Sequence, residues 1–281
     1  MKFDVVVGNP PYSKKVGLVK NEPIWHEFVK KSLELCSEGG YISLIHPSGW
    51  RNVSGKFKET QNVIKNNNLI YLNINDVQTG KLLFNVTTPF DWYILQKSIY
   101  NGKTLINFDN NVNNIVDISQ MEYIPNSNMD KINKLMVTEF GDTVNVLYSR
   151  TSYGSDKSNM NREKTNEFKY PCVYSIVGND EPILFYSNVN DKGHFAIPKL
   201  ILGNGANPKC FIDYNGDYGL TQFAFGIIDE PENLEKIKIV LESEEFQKIN
   251  LSTKFVATGG NPLVYPRIIS TFRKDFWKEF I

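Results

Sequence analysis

A short apolar strand that stops at an asparagine and two prolines constrains the fold more than any other feature of this sequence. Residues 3–8 read Phe-Asp-Val-Val-Val-Gly, and Asn9-Pro10-Pro11-Tyr12 follows without a spacer. A β-branched run of this length predicts a central strand of a parallel sheet. Prolines fix φ and lack an N–H donor, so the strand must end there. In such sheets ligands bind beyond the carboxyl ends of the strands, so residues 9–12 lie where a site is expected.

Helical and extended segments alternate over the first third of the chain. The pattern predicts a helix from Pro23 to Gly39-Gly40, a strand at Tyr41–Ile45 ended by His46-Pro47, a helix at Ser54–Asn66 capped by Ser54, a strand at Leu69–Ile74, and extended segments around Leu82–Phe84 and at Phe90–Leu95. This alternation predicts an α/β fold with a doubly wound parallel sheet, of which residues 1–105 form a part.

Beyond residue 105 the pattern changes. The pattern weakens into an Asn-rich bridge from about residue 100 to 135, and a short helix-like segment is predicted at Leu135–Phe140. The remainder predicts short strands at Tyr170–Val177, Ile183–Tyr186, Ala196–Leu202, Phe211–Tyr214 and Gln222–Ile228, with one helix at Pro231–Phe246. We therefore expect residues 106–281 to form a second, mixed α+β domain.

Composition excludes several classes of protein. The 31 basic and 31 acidic residues cancel, so nucleic-acid affinity would have to come from a local patch or a partner. The chain has no apolar run of membrane-spanning length and no signal-peptide pattern, which predicts a cytoplasmic protein without a membrane partner. Its three cysteines are far apart and only three histidines accompany them, so we expect buried thiols rather than a disulfide framework or a metal site.

Asn-Pro-Pro-Tyr after a hydrophobic strand resembles the catalytic motif of amino-methyltransferases, which take a methyl group from S-adenosylmethionine. The motif suits a poor nucleophile such as an adenine amino group. The Asn9 side-chain oxygen and the Pro10 carbonyl can accept both N–H bonds and aim the nitrogen lone pair at the methyl group. Pro11 fixes the turn, and Tyr12 offers an aromatic face to a base that has been flipped out of the duplex.

The neighbouring segments narrow the resemblance. Four segments resemble consecutive motifs of the gamma-class adenine-N6 DNA methyltransferases of restriction-modification systems. They are residues 3–12, the helix after Pro23, Gly39–Trp50 and Leu83–Leu95. The resemblance covers roughly residues 1–97. It implies a Rossmann-like methyltransferase sheet, double-stranded DNA as substrate, cofactor contact by Asn9, and stacking of Phe84 or Phe90 on the target base. More loosely, Ile197–Leu202 and the segments after it look like the target-recognition domain of that group.

In the gamma class a Gly-rich loop and an acidic residue bind the cofactor, and both precede Asn-Pro-Pro-Tyr. Only eight residues precede the motif here. The resemblance thus implies the fourth to seventh strands of the sheet without the first three, with the strand at residues 3–7 as an apolar edge that needs a cover. We expect a separate subunit or an N-terminal segment to supply the cofactor-binding half, with a split or truncated enzyme favoured over self-association. The chain alone should bind S-adenosylmethionine weakly or not at all.

Basic residues near the predicted strand ends are candidates for DNA phosphate contacts. Lys14 and Lys15 follow the motif directly, Arg51 follows the second strand end, and Lys199 lies in the second domain. Asn161 and Gln222 carry amides that can read adenine in a major groove.

Two other functions are compatible with the motif. One is methylation of a different nitrogen, in protein glutamine or in RNA, because such enzymes share the Asn-Pro-Pro-Tyr chemistry. The other is a non-catalytic DNA-binding or decoy protein derived from a methyltransferase, which the absent cofactor motifs make credible.

Overall fold

The computed structural model describes residues 1–17, 20–52, 55–108, 112–136, 141–149, 153, 158–177, 181–203, 209–253 and 265–281. The chain forms two compact units, and the division between them falls at Ser127 and Asn128. The sequence placed the division near residue 105. Ser54, the predicted cap of the second helix, lies outside the described residues, and that helix begins at Lys58.

The first unit alternates strands and helices, as expected for an α/β protein. In chain order its elements are β1 (Phe3–Gly8), β2 (Ser13–Val16), β3 (Lys20–Pro23), α1 (Trp25–Leu35), β4 (Cys36–Pro47), α2 (Lys58–Asn66), β5 (Asn67–Asn75), α3 (Val77–Phe84), β6 (Phe90–Ile99), β7 (Thr104–Phe108) and β8 (Val112–Val116).

A six-stranded sheet with the order β1-β4-β6-β5-β7-β8 organises this unit. β1 runs parallel to β4, and β5 runs parallel to β7, but β6 lies between β4 and β5 and is antiparallel to both. The predicted α/β class is confirmed, whereas the expectation of an all-parallel sheet is wrong. β7 and β8 also belong to this sheet, although the sequence assigned them to an irregular bridge.

Two local predictions fail for identifiable reasons. The first helix ends at Leu35 rather than at Gly39-Gly40, and β4 already begins at Cys36. A side chain at Gly40 would lie 2.8 Å from the backbone oxygen of Asp4, so glycine allows β1 to approach β4 closely. Residues 82–84 are helical rather than extended. Asp76 caps α3 by accepting a hydrogen bond from the Thr79 N–H at 2.7 Å, and Asn85 ends it in the left-handed region at φ 55°.

The second unit contains short strands and helices. Its elements are α4 (Met129–Leu135), β9 (Asn145–Leu147), β10 (Met160–Asn161), β11 (Tyr170–Val177), β12 (Glu181–Ser187), β13 (Lys199–Gly203), β14 (Cys210–Asp213), β15 (Gly219–Leu220), β16 (Ala224–Ile228), α5 (Pro231–Glu242), α6 (Glu244–Ser252) and α7 (Tyr265–Ile269). The strands form two four-stranded sheets, β10-β12-β11-β15 and β14-β13-β16-β9.

The predicted helix at Pro231–Phe246 is two helices. Ser243 is extended, and its hydroxyl accepts a hydrogen bond from the Phe246 N–H at 3.2 Å, so it caps the N-terminus of α6. α4 ends at Leu135, and residues 137–140 of the short helix-like segment predicted at Leu135–Phe140 lie outside the described part of the chain.

Buried side chains fill both units. Cys36, Cys172 and Cys210 are all buried thiols, as predicted. Among the helices of the described residues, none has the length and apolar character needed to cross a bilayer.

Candidate active site

The carboxyl ends of β1, β4 and β5 lie at one edge of the first sheet, together with the amino end of β6. β1 ends at Gly8, which pairs with Leu44 near the end of β4. Phe90, the first residue of β6, pairs with Pro47 at the end of β4 and with Asn75 at the end of β5. The residues that follow β1, β4 and β5 therefore lie along this edge, as expected for a ligand site of an α/β sheet.

The Asn-Pro-Pro-Tyr turn begins directly after β1. Asn9 and Pro11 are exposed, Pro10 is buried, and Tyr12 is half-buried. The Tyr12 carbonyl accepts a hydrogen bond from the Ile24 N–H at 3.2 Å, which ties the end of the turn to the start of α1. Partial burial raises the pKa of the Tyr12 phenol, which therefore stays neutral at physiological pH. The turn presents an exposed carboxamide and a neutral aromatic ring.

Helix α3 brings one of the two predicted stacking residues to the surface. The Phe84 ring is 39% exposed and contacts Phe90 edge-on, with 5.2 Å between the ring centroids. Gly80 permits this arrangement, because a side chain there would lie 2.8 Å from the Thr88 carbonyl. Phe90 itself is 2% exposed. A stacking role for Phe90 is therefore a wrong prediction, since its ring supports Phe84 from within the core.

Arg51 does not have the surface position that was predicted for a phosphate contact. Its side chain is fully buried, and Nε donates a 2.8 Å hydrogen bond to Asp91, which also accepts one from Trp50 Nε1 at 2.8 Å. The guanidinium also donates to the Ile124 carbonyl and to Asn126, each at 2.8 Å. The DNA-contact prediction is wrong. The ion pair instead fastens the turn after β4 to β6.

His46 is a component of this edge whose role sequence reasoning missed. The ring is fully buried, stacks on Trp25 at a centroid distance of 4.4 Å, and hydrogen-bonds through Nε2 to the Tyr93 hydroxyl at 3.1 Å. Burial lowers the pKa of His46 to about 4, so the imidazole is neutral at pH 7. The only signal in the sequence was the position of His46 at a strand end. Its partners on α1 and β6 cannot be read from that position.

The remaining predicted cations differ in exposure. Lys14 and Lys15 are exposed on the β2–β3 hairpin, directly after the motif, and their role in DNA contact stays a prediction. Lys199 is fully buried in the second unit, where Nζ donates 2.9 Å hydrogen bonds to Asp213 and to the Ile197 carbonyl. The prediction that Lys199 contacts DNA is wrong, because a buried ammonium engaged in an ion pair cannot reach a phosphate.

Comparisons with known proteins match the part of the chain that contains the motif. The sequence profile of the Eco57I restriction-modification methylase family matches residues 1–84. The resemblance to restriction-modification methylases is confirmed over this region. A curated protein of Mycoplasma pneumoniae, described as an uncharacterized adenine-specific methylase, is 30% identical over a 119-residue alignment that covers 38% of this chain. The chain spans 26% of the length of that relative.

Solved structures of restriction-modification enzymes are also similar. The type IIL enzyme MmeI in complex with DNA matches 93% of this chain and 46% of its own at 9% identity and a TM-score of 0.48. The EcoKI M protein, a type I restriction enzyme component, matches 37% of this chain and 25% of its own at 13% identity and a TM-score of 0.30.

Proposed function

We propose that this chain carries the target-adenine side of an adenine-N6 DNA methyltransferase. The observation that carries the proposal is the exposed Asn9 carboxamide directly beyond β1, at the same sheet edge as the Tyr12 and Phe84 rings. The family match over residues 1–84 includes all of these residues and supports the same function.

The residues of this edge fit the needs of a flipped adenine. The Asn9 side-chain oxygen and the Pro10 carbonyl accept the two N–H bonds of the amino group and orient its lone pair. Tyr12 and Phe84 provide stacking surface, which is worth about 1–3 kcal/mol per base and offsets the few kcal/mol needed to unstack it. S-adenosylmethionine, when bound, supplies the methyl group. The neutral His46 and the Arg51–Asp91 pair position the strand ends beneath this surface.

The described residues fit only one side of a cofactor site. Asn9 can contact a bound cofactor, but the outer edge of β1 has no strand beside it among the described residues. Phe3, Val5 and Val7 on this strand are 44%, 59% and 72% exposed. Apolar edge strands with open backbone groups pair readily with a further strand. We therefore place the strands of the cofactor-binding half against β1, supplied by another subunit or by a further segment of the polypeptide.

Double-stranded DNA is the proposed substrate, and the cytoplasm is the proposed compartment. Lys14 and Lys15 on the hairpin after the motif are the proposed phosphate contacts of the first unit.

A methyl-transfer assay tests the proposal. The chain is incubated with unmethylated DNA and labelled S-adenosylmethionine, with and without a protein that supplies the cofactor-binding half, and N6-methyladenine is measured by mass spectrometry. We expect transfer in the presence of that half, and a loss of about 100-fold or more in the Asn9→Ala variant, because a preorganised polar contact in the transition state is removed.

The matched control is Asn21→Ala, which removes an exposed asparagine from β3 without touching the motif. It should retain full transfer. Retention of DNA without transfer under any of these conditions would instead support a non-catalytic DNA-binding protein. A methylated glutamine or RNA base as the product would place the enzyme in a different substrate class.

A further inference from the structure

A pocket in the second unit has the lining of a nucleobase site. It encloses about 400 Å³, within the range of small-molecule sites. Two strands of one sheet, β11 and β12, provide its aromatic wall, and Phe223 closes one side. Its polar lining includes the side chains of Asn161, Arg162 and Gln222.

A β-bulge builds the aromatic wall. The register between β11 and β12 shifts between Val173 and Ser175, so Tyr174 is the additional residue on its strand. Bulges of this kind redirect one side chain and are frequent beside functional sites. The Tyr174 ring lies parallel to Phe185, with 4.6 Å between centroids and 7° between planes. Both rings are half-exposed and line the pocket.

A cation accompanies this surface. The exposed Arg162 guanidinium lies over the Phe185 ring, 5.8 Å from its centroid. A planar guanidinium on an aromatic face can also stack on an inserted base or pair with a phosphate. Half-exposed Asn161 and Gln222 line the same pocket, and carboxamides are the groups that pair with the N6 and N7 atoms of adenine.

We propose that this pocket binds a single base of the DNA, stacked on the Tyr174–Phe185 pair and read along its edge by Asn161 and Gln222. The lining favours adenine, because its N6 amino group and N7 acceptor match the acceptor and donor of a carboxamide. The assignment of the ligand to DNA rests on the proposed function above. The pocket itself lies in the second unit and shares no residue with the Asn-Pro-Pro-Tyr turn.

Titration of the full chain with mononucleotides tests this proposal. The probes are deoxyadenosine, deoxyguanosine, deoxycytidine and thymidine 5′-monophosphates, with deoxyribose 5-phosphate as the control that lacks a base. Binding is followed by calorimetry and by saturation-transfer NMR. We expect deoxyadenosine monophosphate to bind most tightly and the control to bind at least about fivefold more weakly, the lower end of the contribution of base stacking.

Three variants locate the binding. Phe185→Leu keeps the apolar volume but removes the ring, and should weaken deoxyadenosine monophosphate binding at least about fivefold. Gln222→Leu should reduce the preference for adenine over thymine. Arg162→Gln alters an exposed side chain that the fold does not need, and should weaken binding by about two- to fivefold. The matched control is Tyr186→Leu, because adjacent residues of a strand point to opposite faces.

Equal affinity for deoxyadenosine monophosphate and deoxyribose 5-phosphate would overturn the proposal. So would Phe185→Leu and Arg162→Gln chains that bind like the wild type. Asn9→Ala separates this proposal from the proposed function, because it should strongly reduce methyl transfer and leave the part of nucleotide binding that depends on Phe185 unchanged. Nucleotide binding that depends on Phe185, in a chain that never transfers methyl groups, would keep the pocket and reject the methyltransferase.

Discussion

Two strands of similar composition, β1 and β13, have opposite environments in this molecule. β1 contains three consecutive valines, yet Val5 and Val7, which lie on one face of the strand, are more than half exposed. Among the described residues only β4 lies beside β1. β13 contains Leu-Ile-Leu, every one of its residues is buried, and β14 and β16 pair with it on both sides. In the second unit the neighbouring strands come from the same chain, whereas one side of β1 is open among the described residues.

Charged residues near the two strands follow the same contrast. Lys199, the first residue of β13, is fully buried against Asp213, while Lys14 and Lys15, shortly after β1, are exposed. An exposed lysine such as Lys14 can contact a substrate. A buried lysine in an ion pair, such as Lys199, stabilises the fold.

The largest difference in folding stability between the buried and the exposed lysines is expected from a change at Lys199. Lys199→Met should destabilise the second unit by about 3 kcal/mol or more, because Asp213 would keep its charge in a buried site without its cation. Lys14→Met, an exposed change, should alter stability by less than about 0.5 kcal/mol. Urea unfolding followed by circular dichroism measures both. Equal midpoints for the two variants would contradict the buried position of Lys199.

A comparison of apolar truncations tests the strands themselves. Ile201 on β13 is fully buried, and Ile201→Ala should cost about 3 kcal/mol through lost burial and the cavity that remains. Val7→Ala on β1 should cost less than about 0.5 kcal/mol in the chain alone. The same Val7 change should become destabilising once the cofactor-binding half is added, if that half covers β1. If Val7→Ala costs equally little stability with and without the cofactor-binding half, that half does not cover β1.

Acid sensitivity tests whether the first unit is densely packed despite its open edge. The pKa of His46 is about 4 in the folded chain, against an ordinary value near 6.5, so the unfolded chain binds the proton first as the pH falls. The contribution of the neutral ring is complete above about pH 6.5 and is lost as the pH falls through 4, a total of about 3 kcal/mol.

Unfolding at a series of pH values, followed by the fluorescence of the buried Trp25 and Trp50, measures this loss. The His46→Phe variant keeps an aromatic ring for Trp25 to stack on and should show a flatter pH profile. A wild-type profile that is already flat between pH 7 and 4 would show that His46 is solvated.

The smallest expected effect concerns the exposed lysines after β1. Changing both Lys14 and Lys15 to Gln should weaken DNA binding and lower the slope of log affinity against log salt by about 1 for each lysine. Lys103→Gln, on an exposed turn of the same unit, is the control and should leave the slope unchanged. Fluorescence anisotropy with labelled duplex DNA at several salt concentrations provides the measurement. If the variant with both Lys14 and Lys15 changed to Gln has the same slope as the wild type, the hairpin does not contact DNA.

Several strands were predictable, because each of them is a short apolar run with a clear end, whereas β2 and β3 have mostly polar sequences and were not predicted. β1, β5, β11 and β16 lie where β-branched and aromatic residues alternate with turn residues. Residues 82–84 were not predictable from their apolar character, since a three-residue run suits a strand or a helix equally. The capping contact of Asp76 and the left-handed Asn85 decide the outcome.

The site was predictable only where the motif itself forms it. Asn9 to Tyr12 lie at a strand end, as the local sequence implies. The buried states of Arg51 and Lys199 depend on Asp91 and Asp213, which are 40 and 14 residues away in sequence. No local pattern identifies such a partner, and an isolated basic residue therefore looks like a surface residue until the sheet is known.

Calorimetric titration of S-adenosylmethionine tests most directly the claim that this chain provides the target-base side of a divided site. We predict weak or undetectable binding to the chain alone, and binding that appears when the cofactor-binding half is added. Replacing Val7 with Lys should prevent that gain, because the charge would lie on the proposed contact strand. Tight binding of S-adenosylmethionine by the isolated chain would contradict the claim.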